Sequence, residues 1–429
     1  MKLFSAAAVL LLLTFTTFCP AADWPQWRGP NRDGKSSETG TIQNLEETPP
    51  KLLWMVEGMG RGYASVSVVD GRLYTTGNGN EGQKVVCVDA ATGKEIWSTT
   101  VTDEVPGHSY PGSRCTPTVD GDRLYVVTSN GSIVCLSTEG DVVWQKSFRQ
   151  EWNGKMMSGW GFSESPLVDG ESVLCTPGGS NATVVKLNKH TGEEEWRAAA
   201  YEIDGDSGKD GAGYSSIVIS NGGGVKQYVQ LIGRGLVGIR ASDGKVLWSY
   251  NRIANGTANI PTPIPIGDYV FASTGYGTGA CLLKLEQVGK GEVAADEVYF
   301  LDADTAQNHH GGMIHDGDHI YFGHAHGQGF PSCVEWKTGQ VVWRGEERTR
   351  PRRGSAAITY VDGQIIYRYQ DGTLALVAAT PEGYRLNGRF RPEYQEDKSW
   401  SHPVVVDGLL YLREQDKLMC YDFRANQGS

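Results

Sequence analysis

Eight short segments of this 429-residue chain share a position and differ in chemistry. Each stands just ahead of an apolar stretch: Gly62-Tyr63-Ala64-Ser65, Gly112-Ser113-Arg114-Cys115, Gly161-Phe162-Ser163-Glu164, Gly213-Tyr214-Ser215-Ser216, Thr257-Ala258-Asn259-Ile260, Asn308-His309-His310-Gly311, Arg352-Arg353-Gly354-Ser355 and Lys398-Ser399-Trp400-Ser401-His402. Turn formation alone is met by Gly, Ser or Asp, so the larger groups ask for another role. Arg114 and Arg353 carry the planar fork that grips carboxylates bidentately. Trp400 and nearby Trp160 offer flat faces for stacking. Tyr63, Tyr214, Asn259, His309, His310 and His402 add polar contacts, and Glu164 or a histidine is a candidate general base. The same groups could instead satisfy one another, Glu164 with an arginine for example, and plug the space between them. At the level of sequence both readings stay open.

Six of the nine histidines lie between His309 and His326. On a strand, His324 and His326 would share a face, half of a possible metal site, whereas adjacent His309 and His310 would point apart. No carboxylate at fixed spacing completes a ligand set, so no metal site is expected here and hydrogen bonding is the expected role. No Ser-His-Asp pattern, phosphate loop or calcium loop is present. The net charge of −11 argues against a nucleic-acid partner, which demands a concentrated basic face.

The elements that would position these groups repeat about every 45–50 residues. One unit reads as an Asp-Gly turn, an apolar strand, a second apolar strand, a Thr-Gly-Lys-like turn and a strand closing on Trp. The first turn recurs at Asp70-Gly71, Asp120-Gly121, Asp169-Gly170, Asn221-Gly222, Gly267-Asp268, Asp316-Gly317, Asp362-Gly363 and Asp407-Gly408. Closing aromatics follow at Trp97, Trp144, Trp196, Trp248, Tyr299 and Trp343. Each unit has the turn chemistry and strand composition of a four-stranded antiparallel meander. The predicted fold is therefore all-β, an eight-bladed propeller. The last unit lacks its outer strand, and an orphan strand, Leu52-Leu53-Trp54-Met55-Val56, precedes the first. Ring closure follows, the N-terminal strand completing the final blade and removing an exposed sheet edge.

Outside the ring, residues 1–22 read as a signal peptide: Lys2, then an apolar run from Ala6 to Phe18, then Ala21-Ala22. Cys19 follows Phe18, where a lipidation signal wants a small side chain, so it is assigned to the discarded peptide. Export, to the periplasm or beyond the cell, is expected, with no transmembrane span. Residues 23–50 are expected to be a surface segment lying along the propeller, and 51–429 the propeller itself, acting as a monomer. The seven remaining cysteines include four at matching places, Cys87, Cys135, Cys333 and Cys420, which face the same way in different blades. They are expected to be small buried apolar residues rather than disulfide partners.

The stretches from Cys87 to Trp97 and from Gly238 to Trp248 resemble the repeat of pyrroloquinoline-quinone (PQQ)-like propellers, and the likeness covers essentially residues 23–429. Trp24 to Gly34 resembles the start of exported proteins of that kind. The resemblance is specific for fold and not for activity: the repeat occurs in quinoprotein alcohol dehydrogenases and in a non-catalytic lipoprotein that assists outer-membrane barrel assembly. The dehydrogenase branch implies PQQ with a calcium ion in the channel mouth, the two arginines on its carboxylates. Its adjacent cysteine pair, its calcium-ligand set and a haem-attachment motif have no counterpart here. Two functions are thus carried forward: a binding or scaffold module taking a protein, glycan or small ligand at the mouth, and, as the alternative, a PQQ-dependent alcohol dehydrogenase.

Overall fold

The computed structural model describes residues 23–345 and 354–425; the signal peptide expected at 1–22, Cys19 and Arg353 fall outside them. The described residues form eight four-stranded antiparallel sheets set round an axis. The first runs through Ser67–Val69, Arg72–Asn78, Gln83–Asp89 and Glu95–Thr100, innermost strand first. The eighth is made of Val404–Val406, Leu409–Glu414 and Lys417–Asp422, and is completed by Lys51–Val56, with Lys51 opposite Asp422 and Trp54 opposite Cys420. The ring is closed as the repeat count required. No described helix is long and apolar enough to cross a membrane.

The tight turns explain why Asp-Gly recurs. Asp70 and Gly71 both hold positive φ, 49° and 71°, the backbone that a two-residue hairpin turn needs. Behind these turns, Tyr74 lies opposite Cys87, Tyr125 opposite Cys135, Tyr321 opposite Cys333 and Tyr411 opposite Cys420. All seven described cysteines are buried and free. A small thiol beside a ring fills the core of the blade without a void.

Seams between blades use the closing aromatic. Trp97 donates its indole N–H to the Thr138 carbonyl of the second blade at 2.9 Å, and its ring lies against Gly140, where a Cβ would stand 2.8 Å away. Trp144 repeats this with Lys189 and Gly192, and Trp196 with Ala241 and Gly244. The seam between the fourth and fifth blades departs from the rule. Trp248 turns into its own sheet and donates to Gln227 at 2.6 Å. Here the fifth blade replaces the usual short turn with two eleven-residue strands, Gly279–Gly289 and Glu292–Asp302, whose Leu285 and Val293 bury against Gly222 and Gly223.

The segment 23–50 makes contacts with six of the blades. Trp24 bridges to Val68 in the first blade, and the Pro25 carbonyl accepts from Val119 in the second. Arg32 donates to the Ser165 and Pro166 carbonyls in the third, and Lys35 pairs with Asp316 in the sixth. The Ser36 amide donates to the Tyr360 carbonyl in the seventh, and its hydroxyl to Val405 in the eighth. Innermost strands leave polar backbone groups facing the axis, and these must find partners. Residues 24–36 supply them and close one end of the channel. Only the later part, where the Leu45 amide donates to the Asn387 carbonyl, runs over an outer strand.

Candidate functional site

The loops leading into the innermost strands are locked to one another before any side chain is considered. Backbone amides of Ser65, Thr116 and Ser165 donate to hydroxyls of Thr116, Ser165 and Ser216, each one blade onward, at 3.0–3.1 Å. Tyr63 and Tyr214 donate their amides to Ser113 and Asn259 carbonyls across the neighbouring gaps. A rigid collar results, and within it lies a cavity of about 460 Å³. The segment that plugs the axis forms the floor, contributing Trp27 and Arg28.

Tyr63, Arg114, Trp160, Tyr214, His309, His310, Trp400 and His402 all line this cavity. Glu164 and Asn259 do not. Glu164 turns away between the third and fourth blades, accepting from the Thr176 amide and hydroxyl at 2.6 and 2.9 Å and from Gln230 at 3.2 Å. Burial, only partly offset by these hydrogen bonds, pushes its carboxyl up to about 8. As a base acting on a ligand in the cavity it is misplaced. Asn259 is spent on the Ile232 and Gly233 carbonyls and the Asn255 amide.

Arg114 departs from expectation in a different way. Its two terminal nitrogens donate to the carbonyls of Trp160 and Tyr110 at 2.6 and 2.7 Å, with longer contacts to Gly112 and Ser109, so it staples the wall rather than presenting an open fork. Burial lowers its guanidinium to about 10, which leaves it charged at neutral pH.

The histidines also sit otherwise than their spacing implied. Asn308 pairs with His324 and Met313 with Phe322, so residues 309–312 face only Gly323. This wide bulge throws both His309 and His310 into the cavity, ring centroids 4.4 Å apart. Ala325 takes a φ of 68°, which separates His324 from His326; His326 turns to His309 at 4.0 Å and to Tyr276 at 4.4 Å. His309 reaches Ser355 at 2.6 Å and the Tyr276 hydroxyl at 3.2 Å. Burial lowers all four cavity imidazoles, His310 and His402 to about 3, so they are neutral at pH 7. No cluster among the described residues has the geometry of a metal site.

Trp27, Arg28, Tyr110 and Tyr276, which the sequence did not single out for the site, also line the cavity, joined by His326, weighed there only for a metal, and by Lys398 of the eighth loop. Arg28, Tyr110 and Tyr276 have positive φ, 63°, 53° and 58°, a strained backbone for such residues that aims their side chains at the axis. Nothing in their local sequence announces that. Lys398 lies over Tyr110 at 4.0 Å and Trp400 at 5.3 Å, and Tyr63 packs on Trp400 at 4.8 Å. Burial pushes the Tyr63 and Tyr276 phenols up to about 12, so both remain hydrogen-bond donors.

One support behind the wall is equally unforeseen. Glu414 and Arg368, 0% and 1% exposed, pair at 2.9 Å. Glu414 also accepts from Ser399 and from the amides of Glu396 and Asp397, and Arg368 donates to Ser401. Together they hold the loop that carries Lys398, Trp400 and His402.

Residues 38–151 and 110–345 match the family described as "Outer membrane protein assembly factor BamB", which spans well over half of the chain. This chain is a member of that family of PQQ-like propellers. A search of curated proteins finds no match. Among solved structures, this PQQ-like propeller is similar to the quinohemoprotein alcohol dehydrogenase of Comamonas testosteroni, at 12% identity and a TM-score of 0.64 over 95% of this chain and 81% of that one. It is also similar to a europium-containing methanol dehydrogenase, at 11% identity and 0.60 over 92% and 90%. A third, a quinohemoprotein alcohol dehydrogenase from Pseudomonas putida HK5, has 14% identity and 0.59 over 95% and 81%. At such identities the likeness is one of fold.

Proposed function

We propose that this PQQ-like propeller is an exported binding module whose axial cavity captures a small anionic ligand carrying a ring. The charge of the lining carries this reading. Arg28, Arg114 and Lys398 face the cavity, no carboxylate does so among the described residues, and the chain as a whole bears −11. A cationic hollow in an acidic protein concentrates anions. The tyrosine and tryptophan faces supply contact area for a ring, and the rigid collar lowers the entropy lost on binding. A leader at residues 1–22 would place the module outside the cytoplasm.

The dehydrogenase alternative asks for PQQ together with a hard cation. The flat, three-carboxylate quinone suits Arg28 and the tryptophan planes. The cation does not suit the site: such ions take about six to eight oxygen ligands, carboxylates prominent among them. Among the described residues the cavity offers no carboxylate, and its histidines are nitrogen donors that favour softer metals. Glu164, turned away between two blades, is also out of reach of any alcohol held in the cavity.

Calorimetric titration of the purified chain with benzoate, glucuronate and PQQ, beside neutral benzyl alcohol and glucose, tests the binding reading. At least one acid is expected to bind more tightly than its neutral counterpart, with affinity falling as salt rises. Absence of binding by every acid at millimolar concentration, or no preference for acid over neutral partner, would overturn it.

A further inference from the structure

We infer that the cavity floor is a subsite for a hydroxylated carboxylate, a sugar acid, with its acid group on Arg28 and a neighbouring hydroxyl on the imidazole of His402. This rests on the binding reading above and narrows its ligand. Arg28 is 3% exposed. One terminal nitrogen, Nη2, is spent on the carbonyls of Asp33, at 2.8 Å, and Met313. Nε and Nη1 have no partner among the described residues. A buried N–H left without an acceptor costs about 1–3 kcal/mol, more when charged, so a guanidinium with two unpartnered nitrogens at the base of a cavity is poised for an anion. Burial lowers it only to about 10, and the charge persists at neutral pH.

The neighbour of that donor is an acceptor. His402 is 6% exposed, and its Nδ1 lies 3.2 Å from the Ile358 carbonyl. A carbonyl only accepts, so Nδ1 carries the proton, and in the neutral ring Nε2 is left as a lone pair. That Nε2 is buried and unpartnered too, as is Nε2 of His310. Between the cation and the imidazole stands Gly312, at a φ of +78°. A Cβ there would lie 2.3 Å from Arg28 Nη1 and 3.1 Å from His402 Cε1, so only glycine lets the guanidinium and the imidazole pack this closely. The floor therefore presents a charged donor beside an acceptor that wants a hydrogen. An aromatic acid satisfies the first and leaves the second bare. A neutral sugar does the reverse. A sugar acid answers both, and its ring faces meet the aromatic walls above.

Titration of the full chain with D-glucuronate, benzoate and D-glucose decides the matter. Glucuronate is expected to bind at least about ten-fold more tightly than either comparison ligand, the difference one charge-assisted hydrogen bond makes. Arg28→Gln should remove most of the preference over glucose, and His402→Phe most of the preference over benzoate. Should either variant fail to fold, the ¹⁵N resonance of His402 Nε2 in the unaltered protein reports directly: it shifts on adding glucuronate and not on adding benzoate. Benzoate binding as tightly as glucuronate overturns the inference while leaving an anion-binding cavity. Glucose binding as tightly as glucuronate, with benzoate not bound, overturns both, as does the absence of any binding.

Discussion

At the seam between the first two blades, Trp97 covers Gly140 and reaches the Thr138 carbonyl, and nearly the same contact returns at Trp144 and Trp196. Along the axis the collar bonds recur, but most of the side chains facing the cavity do not. One loop brings a stapled arginine, another a bulge with two histidines, a third a tryptophan steadied by a buried ion pair, and the floor comes from a segment outside the repeat. The outer seams hold the ring by repetition, and the axis gathers different side chains because the collar leaves each loop free to vary. Packing and chemistry are thereby separated, and substitutions on one side should leave the other largely intact.

The greatest effect is expected where the two meet. Glu414→Ala leaves the Arg368 guanidinium buried without its counter-charge and releases the loop from Glu396 to His402. A loss of about 3–5 kcal/mol in chemical denaturation is expected, together with weakened ligand binding; stability loss without a binding defect would show that the loop is positioned by other contacts. Next comes Trp144→Ala on a regular seam, expected to cost about 3 kcal/mol while ligand affinity stays unchanged in the folded protein. A change in affinity there would break the separation.

Smaller effects should appear as opposite pH slopes. His310 and His402 are held near 3 in the fold, chiefly by burial, against about 6.5 when unfolded. Their unfolded forms bind protons that the folded forms refuse, so their contribution is complete above about pH 6.5 and is lost as pH falls toward 3. Glu164 behaves in the reverse sense. Its carboxyl is raised to about 8, so its contribution is complete below about pH 4.5 and is lost as pH climbs through 8. Denaturation midpoints from pH 4 to 9 should show His402→Gln flattening the acid side and Glu164→Gln flattening the neutral-to-alkaline side. Parallel curves for variant and parent would refute the assignment. The least effect is expected from Val288→Ser, on an exposed residue of the fifth blade's long hairpin, within about 0.5 kcal/mol by the same denaturation assay.

Much of the collar was legible because a period carries position with it: once the blades are counted, the residue ahead of each inner strand is known to face the axis, and eight of those proposed do line the cavity. Departures from the period were not legible. The bulge at 309–312 turned two histidines to the same side, and the packing of Glu164 against Thr176 and Gln230 drew a candidate base out of reach. Arg353 lies outside the described residues. Arg28, Tyr110 and Tyr276 owe their direction to left-handed backbone that only their surroundings stabilise.

What the sequence determined by itself is the ring: hairpin turns, strands and closing aromatics are local choices, each repeated until one architecture satisfies all of them, down to the N-terminal strand that seals the eighth blade. What only the tertiary structure decided is the floor. The path of residues 24–36 across the axis follows from unpaired backbone groups on innermost strands contributed by distant parts of the chain, and no local pattern encodes where six blades will offer them at once.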